Sequence, residues 1–347
     1  MAGIAPIRGL KFEQNVTRVV QADKCLGCSA CVAVCPVGCL EFVERKPELV
    51  EKCASCGICL IVCPQYEYAF PALEESVFGR QRRPQEEFGI YRRMAIAKAN
   101  DENILHVCQD GGVVTALLTY ALETGRIDGA AVSGISEDKL CYPVPRLVLT
   151  PQEVLECAGT RYIFSPNLFA FQKGFTENKK NIAFVGTPCQ IHALRKIEMN
   201  LLRYFNQLQL AVGLLCTESF TYEGLMKQLI QGKLGLDLHE VKKINIKGKI
   251  LVTTKSGEEK AIPLKEAKQY THPRCNLCTD FSAELADISV GGLGLDGWTF
   301  TILRTRRGEE LFEEARKANV IKTKSIEKGE KALDLLKRLS LKKRKRH

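Results

Sequence analysis

Cysteine is the residue type whose number and spacing in this chain carry the most chemical information. One pattern occurs twice, as CLGCSACVAVCP at 25–36 and as CASCGICLIVCP at 53–64, at an offset of 28 residues. In the spacing C-x2-C-x2-C-x3-C-P, three thiolates on a tight loop bind one [4Fe–4S] cluster and the fourth cysteine binds the other cluster. Gly27 and Gly57 permit the backbone curvature that such loops need. The sequence therefore predicts two clusters in the N-terminal region.

The exchange of the fourth cysteine between the two motifs determines the predicted ligands. Cluster one takes Cys25, Cys28, Cys31 and Cys63, and cluster two takes Cys53, Cys56, Cys59 and Cys35. A pair of structural zinc sites is the alternative, but zinc prefers two CxxC pairs to four cysteines per half with a trailing proline. Cys39, three residues after Pro36, is left without a predicted role as a ligand.

Four further cysteines lie in suggestive places that are far apart in the sequence. Cys189 follows one predicted buried strand, Cys216 ends another, and Cys275 and Cys278 form a CxxC pair. Because sites gather at the carboxyl edge of a parallel sheet, four thiolates converging there would bind a third [4Fe–4S] cluster. Spacing alone leaves another interpretation open, in which the first two cysteines are small buried residues and the pair joins His272 in a zinc site. The cysteines without metal-binding spacing are Cys108, Cys141 and Cys157.

The segments around these four cysteines have the pattern of an α/β domain. The predicted buried strands are 94–99, 129–135, 181–186 and 208–216, and the predicted helices between them include 113–125 and 188–197. Strands that alternate with helices indicate a largely parallel sheet. Two polar β-like runs, 241–249 and 250–257, predict a hairpin inserted into this domain.

Composition and charge restrict the class of protein. The chain has 347 residues, 45% apolar and 26% charged, and is long enough for two domains. Its 16 cysteines are clustered, which indicates metal ligation in a reducing, cytoplasmic compartment and not secreted disulfides. No signal-peptide core or membrane-spanning stretch is recognised, so any membrane contact is expected to be indirect. The formal charge of +10 falls to about +4 with three clusters of about −2 each, so nucleic acid is not indicated.

The predicted organisation has four parts. An α+β two-cluster domain of the bacterial ferredoxin type spans 1–72, a linker spans 73–91, the α/β domain spans 92–330 and a basic C-terminal tail spans 331–347. The tail ends in LKKRKRH and allows three interpretations. It is a disordered solubilising end, or an arm that docks on an acidic partner or an anionic lipid surface. Nucleic-acid binding is the least favoured, because no aromatic residues are interleaved with the charges.

Two loops contain residue types that bind phosphate groups. QDGG, at 109–112, places a Gly-Gly turn at the start of a predicted helix, whose free N–H groups and positive dipole end favour an anion. GTRYIFSPN, at 159–167, combines a Gly-Thr-Arg turn with aromatic and hydroxyl neighbours. Neither loop is a GxGxxG fingerprint, so a Rossmann dinucleotide site is not supported. Taken alone, each loop is equally compatible with a plain connection between elements.

Five segments between residues 92 and 320 carry a specific resemblance. They are GGVVTALLTYALETGRIDGA, AGTRYIFSPN, FVGTPCQIHAL, CNLCTDFSAELADISVGGLG and GWTFTILRT. In this order they resemble the β-subunit family of coenzyme F420-reducing hydrogenases and dehydrogenases. The resemblance implies FAD, F420 as substrate, and a [4Fe–4S] cluster on Cys189, Cys216, Cys275 and Cys278. It assigns no catalytic side chain, since FAD carries the hydride chemistry. The implied cofactor-binding residues are Gly111, Gly112, Thr115, Thr160, Arg161, Tyr162, Ser165, Asn167, Gly186 and Thr187.

The two-cluster domain fused to the flavin domain narrows the resemblance within this family. The combination is similar to the F subunit, the electron-input subunit, of archaeal membrane-bound F420 dehydrogenases. It implies hydride transfer from reduced F420 to FAD, and single electrons passing through the clusters to a complex-I-like enzyme at the inner face of the membrane. Arg161 and the lysines of 242–255 are candidates for a basic F420 groove. The alternatives are a soluble F420:ferredoxin oxidoreductase and a non-catalytic iron–sulfur relay protein.

Overall fold

A computed structural model describes residues 9, 11–67, 70–201 and 206–346. The N-terminal unit is built on the repeated cysteine motif. Its elements are helices α1 (Val16–Gln21), α2 (Ala30–Ala33) and α3 (Ile58–Ile61) and strands β1 (Leu40–Val43) and β2 (Lys46–Leu49), which form an antiparallel hairpin. Helices α2 and α3 each follow a left-handed residue, Ser29 with φ 72° and Gly57 with φ 73°. The two motifs thus share one backbone conformation, which places their cysteines equivalently.

The α/β domain alternates helices and strands from residue 93 onward. Its first elements after helix α4 (Phe70–Phe78) are β3 (Arg93–Ala99), α5 (Glu102–Val107), α6 (Val113–Glu123), β4 (Gly129–Ile135), β5 (Pro143–Val148), α7 (Pro151–Glu156), α8 (Leu168–Thr176), β6 (Ile182–Gly186), α9 (Pro188–Asn200) and β7 (Leu208–Leu214). Helix α10 (Glu223–Lys233), with π-type hydrogen bonding, and α11 (Leu264–Ala267) flank the strands β8 (Val241–Ile246), β9 (Lys249–Thr254) and β10 (Glu259–Pro263). The last elements are β11 (Ile288–Gly291), β12 (Thr299–Leu303), α12 (Arg306–Lys317), β13 (Ile321–Lys324) and α13 (Glu330–Arg344).

The main sheet is mixed, which corrects the prediction of a largely parallel sheet. In the described part of the chain its strand order is β13-β3-β12-β11-β7-β6-β4-β5, and only β11, β7, β6 and β4 pair in parallel. The outer pairs, including β4–β5 and β11–β12, are antiparallel. The connections at 136–142 and 292–298 are too short for a crossover helix, so the strands that they join run in opposite directions. The predicted parallel arrangement therefore holds for the centre of the sheet alone.

A second, smaller sheet contacts the loop at residues 108 and 109 through its strand β8. The hairpin predicted at 241–257 is present as β8 and β9, and β10 adds a third antiparallel strand. Helix α10 packs against this sheet through apolar side chains such as Leu225 and Ile230, which meet Ile250 and Val252 in one buried cluster.

The N-terminal unit is packed directly on the α/β domain. Cys28, Ala30 and Ile61 belong to the same buried apolar cluster as Leu194 and Phe184 of the larger domain. The stretch 73–91, predicted as a linker, contains the end of α4 and is held by an ion pair between Arg82 and Glu74 with 2.5 Å between Nε and Oε1. The two units thus form a continuous core.

Asp287 lies at the centre of a buried network of hydrogen bonds and charges. Its side chain is fully buried and receives hydrogen bonds from the backbone N–H of Ala211 at 2.7 Å and the hydroxyl of Thr305 at 2.6 Å. The guanidinium of Arg307 donates at 2.7 Å, and that of the buried Arg195 lies 3.2 Å away. This network ties α9, β7 and α12 to the start of β11.

Among the described residues, no helix combines the length and the apolar character needed to cross a membrane.

Candidate iron–sulfur centres and flavin site

The structure brings together the four cysteines predicted for cluster one. Burial raises the pKa of the Cys28 and Cys31 thiols well above the ordinary value, and the neighbouring Cys63 and Cys25 thiols raise it further. Burial also raises the pKa of Cys63 to about 11, with a further contribution from Cys25. Cys63 follows α3 and the other three lie on or before α2, so the fourth member comes from the second motif.

The second group contains the other four predicted ligands. Burial raises the pKa of Cys59 to about 12, and the nearby Cys56, Cys53 and Cys35 thiols add to the effect. Cys35 follows α2 of the first motif, so the exchange of fourth cysteines is reciprocal. Cys39, which has no predicted role, lies beside this group, with 3.5 Å between its Sγ and that of Cys35.

Backbone N–H groups point at the cysteine sulfurs in each group. Gly27 N lies 3.4 Å from the Sγ of Cys25, and the equivalent contact in the second motif joins Ser55 N to the Sγ of Cys53 at 3.3 Å. Such hydrogen bonds favour the thiolate and are one of the features that tune cluster potentials. The loops therefore present the donors that a bound cluster would use.

A third group forms at the carboxyl edge of the main sheet. Cys189 lies in the first turn of α9 after β6, and Cys216 lies just beyond the end of β7. Together with Cys275 and Cys278 they line one cavity. Burial raises the pKa of Cys189 to about 11 and that of Cys216 to about 12, and the other thiols of the group raise both further.

The lining of this third cavity suits an anionic iron–sulfur cube. A cube with four thiolates carries about −2, and the cavity is lined by Arg45, Arg274 and Lys343. Ser219 provides a backbone N–H at 3.3 Å and a hydroxyl at 3.4 Å from the Sγ of Cys275. His272, the alternative zinc ligand, accepts the N–H of Arg274 at its Nδ1. The four cysteines and these donors fit a [4Fe–4S] cluster.

A single metal ion makes a different demand. Across 9, 11–67, 70–201 and 206–346, no group of three His, Cys, Asp or Glu side chains is arranged to hold one. A single ion needs its ligands around one point, whereas a [4Fe–4S] cube holds its four thiolates apart around eight atoms. The absence of a single-ion site among these residues therefore does not argue against clusters. The cluster assignment depends on the grouping of the cysteines.

The three cysteine groups follow one another in space. Cys28 of the first group is close enough to Cys189 of the third group for the two thiols to interact electrostatically. Cys31 interacts in the same way with Cys59 of the second group. The guanidinium of Arg274, which lines the third cavity, also donates to the carbonyl of Cys25 at 2.8 Å. The group of Cys25, Cys28, Cys31 and Cys63 thus lies between the other two.

The predicted phosphate loop lies at the same edge of the sheet. Gly111 donates its N–H to the hydroxyl of Thr299 at 3.0 Å, and a Cβ at Gly111 would lie 2.6 Å from the carbonyl oxygen of Ala97. Gly112, with φ 70°, precedes α6, and Thr115 is buried in the first turn of that helix. Both glycines are therefore required by packing, because neighbouring protein atoms leave no room for a side chain.

The small sheet and the 159–167 loop support this glycine turn. The ammonium of Lys243 on β8 donates to the carbonyls of Cys108 at 3.0 Å and Gln109 at 2.8 Å. The Gln109 amide contacts the hydroxyl of Tyr162 at 3.5 Å. The sequence places Lys243 among the lysines of 242–255 that are candidates for an F420 groove, whereas its contacts with the turn depend on how the small sheet packs. The turn is therefore braced from outside its own helix.

The other implied flavin residues divide between two places. One guanidinium nitrogen of Arg161 donates to the carbonyls of Cys157, Ala158 and Gly159, so it holds its own loop together, and Thr160 is exposed beside it. The remaining four residues lie nearer to the third cysteine group.

Those four residues are Ser165, Asn167, Gly186 and Thr187. Asn167 accepts a hydrogen bond from Ser165 at 2.7 Å and donates to the carbonyl of Val185 at 2.8 Å, and Thr187 lies 3.3 Å from the Sγ of Cys189. They anchor the β6–α9 junction that carries Cys189.

Comparison with known families covers most of the chain. Residues 94–172 match the N-terminal part, and residues 179–329 the C-terminal part, of the family described as coenzyme F420 hydrogenase/dehydrogenase, beta subunit. Residues 18–41 and 50–68 each match a 4Fe-4S binding domain. The matched ranges include all twelve cysteines of the three groups.

Individual relatives show the same likeness. The chain is 38% identical over 264 residues to the beta subunit of coenzyme F420 hydrogenase from Methanococcus voltae, covering 75% of this chain and 94% of the relative. It is 32% identical over 310 residues to the F subunit of F(420)H(2) dehydrogenase from Methanosarcina mazei, covering 87% and 85%. One chain of the F420-reducing [NiFe] hydrogenase complex from Methanosarcina barkeri, a xenon-derivatised structure, matches with a TM-score of 0.72 and 34% identity over 76% of this chain and 92% of that chain.

Proposed function

The chain belongs to the coenzyme F420 hydrogenase/dehydrogenase beta-subunit family, and from this premise we propose that it oxidises reduced coenzyme F420 and delivers single electrons to a partner. Its relatives include F420-linked oxidoreductase subunits, and its N-terminal region matches two 4Fe-4S binding domains. An F420-linked electron-transfer role is therefore supported at the level of the family. FAD as hydride acceptor, a third cluster and a membrane enzyme as the partner are our proposals.

The spatial order of the three cysteine groups is the observation that carries this proposal. The third group and the glycine turn both lie at the carboxyl edge of the main sheet, and Cys28 and Cys31 connect the third group to the other two in order. A chain of closely spaced centres is what transfer of single electrons through a protein requires. The group of Cys53, Cys56, Cys59 and Cys35 is the last in this order and would face the partner.

FAD, when bound, supplies the conversion between a hydride and single electrons. The residues of this chain that would hold it are those of the glycine turn, Gly111 and Gly112, with Tyr162 and Thr115 beside them. The free N–H groups at the start of α6 would bind a phosphate of this cofactor. Lys243 holds the turn in the conformation that these contacts need.

Replacing Lys243 by methionine should weaken FAD binding about tenfold. The ammonium donates two hydrogen bonds to carbonyls of the turn, and bonds from a charged group are each worth roughly 1.5–3 kcal/mol, part of which the loop recovers by relaxing. Flavin fluorescence during dilution of the holoprotein measures the change. Lys242→Met is the matched control, because Lys242 is exposed on the same strand and no described contact joins it to the turn. Equal flavin loss in both variants would contradict a role for Lys243.

Counting the cofactors and mixing the protein with reduced F420 tests the function itself. Anaerobically purified chain should contain about twelve irons and one FAD, by three clusters of four irons each. Reduced F420 should then bleach both the flavin and the cluster absorbance. About eight irons, no flavin and no bleaching would leave a two-cluster protein with a different substrate, and the proposal would be wrong.

The partner is tested separately. We propose a membrane-bound dehydrogenase, at the inner membrane face, as the acceptor. The likeness to the F subunit of F(420)H(2) dehydrogenase supports a dehydrogenase as the partner. We expect the protein to sediment with membranes at low salt and to be released at high salt. Protein that remains in the supernatant at low salt, and that reduces a soluble ferredoxin with electrons from F420, would favour the soluble alternative.

A further inference from the structure

The basic C-terminal segment is not separate from the body of the protein. Helix α13 continues to Arg344, and its first half is anchored by Ala332 and Leu336 in a buried cluster with Ile96 and Phe300. The second half then passes over the third cysteine group. The sequence allowed a disordered end for this segment, and for the residues up to 346 that interpretation is wrong, because they form the end of α13 and the turn after it.

Two side chains of this segment contact the backbone of the predicted third-cluster ligands. The ammonium of Lys343 donates to the carbonyl of Cys216 at 2.7 Å, and the guanidinium of Arg346 donates to the carbonyl of Cys275 at 2.8 Å. Arg344, between them, pairs with the buried Glu284 at 2.8 Å. The segment is thus bonded to the cavity wall at two places, at Cys216 after β7 and at Cys275 in the CxxC loop.

Lys343 is the member of this segment that faces the cavity itself. It lines the same cavity as Cys189, Cys216, Cys275 and Cys278, and only 3% of its surface is exposed. In the described part of the chain no carboxylate oxygen lies within 4.0 Å of its ammonium, and the hydrogen bond that it donates goes to a neutral carbonyl. A buried ammonium without a carboxylate partner requires some other negative charge nearby.

The groups around Lys343 indicate the source of that charge. Its ammonium lies against the carbonyl of Cys216, and Cys278 lines the same cavity. Both cysteines belong to the third cysteine group. A [4Fe–4S] cluster with four thiolates carries a net charge of about −2 when oxidised and one more negative charge when reduced.

We propose that Lys343 is a potential-setting residue of the third cluster, and that the basic C-terminal segment forms the cap of that site. The inference deepens the proposed function, since it requires the third cluster to exist. Because a fixed positive charge favours the more negative, reduced state of the cluster, Lys343 raises its reduction potential. The cap also keeps water from the cluster on the side of α13.

Removing the charge of Lys343 should shift the potential of one cluster out of three. In the complete anaerobic protein, redox titration followed by electron paramagnetic resonance gives the midpoint of each cluster, and Cys278→Ser identifies the component that belongs to the third. For Lys343→Met we expect the ratio of reduced to oxidised third cluster at a fixed potential to fall about tenfold. This corresponds to a midpoint potential lower by about 59 mV for one electron. Lys343→Arg, which keeps the charge, should retain most of the original midpoint.

Lys342→Met is the matched control, because Lys342 is exposed on the same helix and its replacement changes the net charge equally. A midpoint unchanged in Lys343→Met, or shifted equally in Lys342→Met, would overturn the proposal. If Lys343→Met loses about four irons while Lys342→Met keeps them, Lys343 is needed to retain the cluster, which supports the cap. The iron content of the wild-type protein is measured first. A value of about eight irons per chain would refute the third cluster itself, independently of any variant.

Discussion

Cys278→Ser is expected to remove the proposed third cluster and to separate the two reactions, flavin reduction and cluster reduction, that we propose are coupled in this protein. Loss of even an outer contact of a metal site costs 10–100-fold in affinity, so loss of a ligand should cost more than about 100-fold. Iron should fall from about twelve to about eight per chain. Reduced F420 should still bleach the flavin, while bleaching of the two N-terminal clusters should become much slower. Stopped-flow absorbance with reduced F420 as the only donor measures both.

Cys141→Ser provides the comparison for this variant. Cys141 lies in the α/β domain outside all three cysteine groups, and its thiol faces the carbonyl of Leu238 at 3.7 Å. It should keep its full iron content and its wild-type bleaching rates. If Cys278→Ser also bleached its N-terminal clusters at the wild-type rate, the electrons would reach them by a path that avoids the third group, and the proposed order would be wrong.

Asp287→Ala should produce the largest loss of stability that we predict. Removing this buried carboxylate leaves the guanidinium of Arg195, which is 2% exposed, with the carboxylate of Glu198 but without that of Asp287. It also deletes the acceptor of Ala211 and Thr305. Breaking a buried ion pair on one side typically costs about 3–5 kcal/mol in the free energy of unfolding. Urea denaturation monitored by circular dichroism measures the change. Arg306→Ala, which removes an exposed pair with Glu310, should leave the midpoint nearly unchanged.

The same carboxylate should make stability depend on acid pH. Burial acts to raise the pKa of Asp287, but the cations of Arg195 and Arg307 and the hydrogen bonds to it outweigh burial and hold the pKa below its ordinary value. In the unfolded chain an aspartate titrates near about 3.9. The contribution of Asp287 is therefore complete above that pH and is lost as the pH falls through the lower folded value. Asp287→Ala should flatten this part of the wild-type stability curve. If the free energy of unfolding of the variant fell as steeply at acid pH as that of the wild type, groups other than Asp287 would cause the fall.

The sequence predicts correctly those features whose residues lie close together along the chain. Residues 25–63 carry both cysteine motifs within one short segment, and the predicted strand 129–135 coincides with β4 because it is a run of small and apolar residues with Ser133 as its one polar member. The antiparallel flanks of the main sheet were not predicted, because hydrophobic pattern reports burial and does not report strand direction. The third strand of the small sheet, β10, has the polar sequence EKAIP and so gives no strand signal.

The features that escaped prediction depend on contacts between distant segments. Arg161 has the residue type of a phosphate ligand, yet one of its guanidinium nitrogens is occupied by three carbonyls of its own loop. Lys343 is one of seven basic residues in the last eleven, and only the packing of α13 distinguishes it from its exposed neighbours. A run of basic residues shows that positive side chains are present, whereas the function of each depends on which of them the fold buries.

The distribution of ligands along the chain has a consequence for how the protein matures during synthesis. The two N-terminal groups are complete once residue 63 has been made, and they involve mostly local contacts, which form early. The third group draws its cysteines from 189 to 278, and Lys343 closes it from α13. Two sites are therefore available for iron–sulfur assembly on the growing chain before the proposed third site has all of its parts. Protein produced under iron limitation should accumulate as a form with the first two clusters loaded and the third still missing.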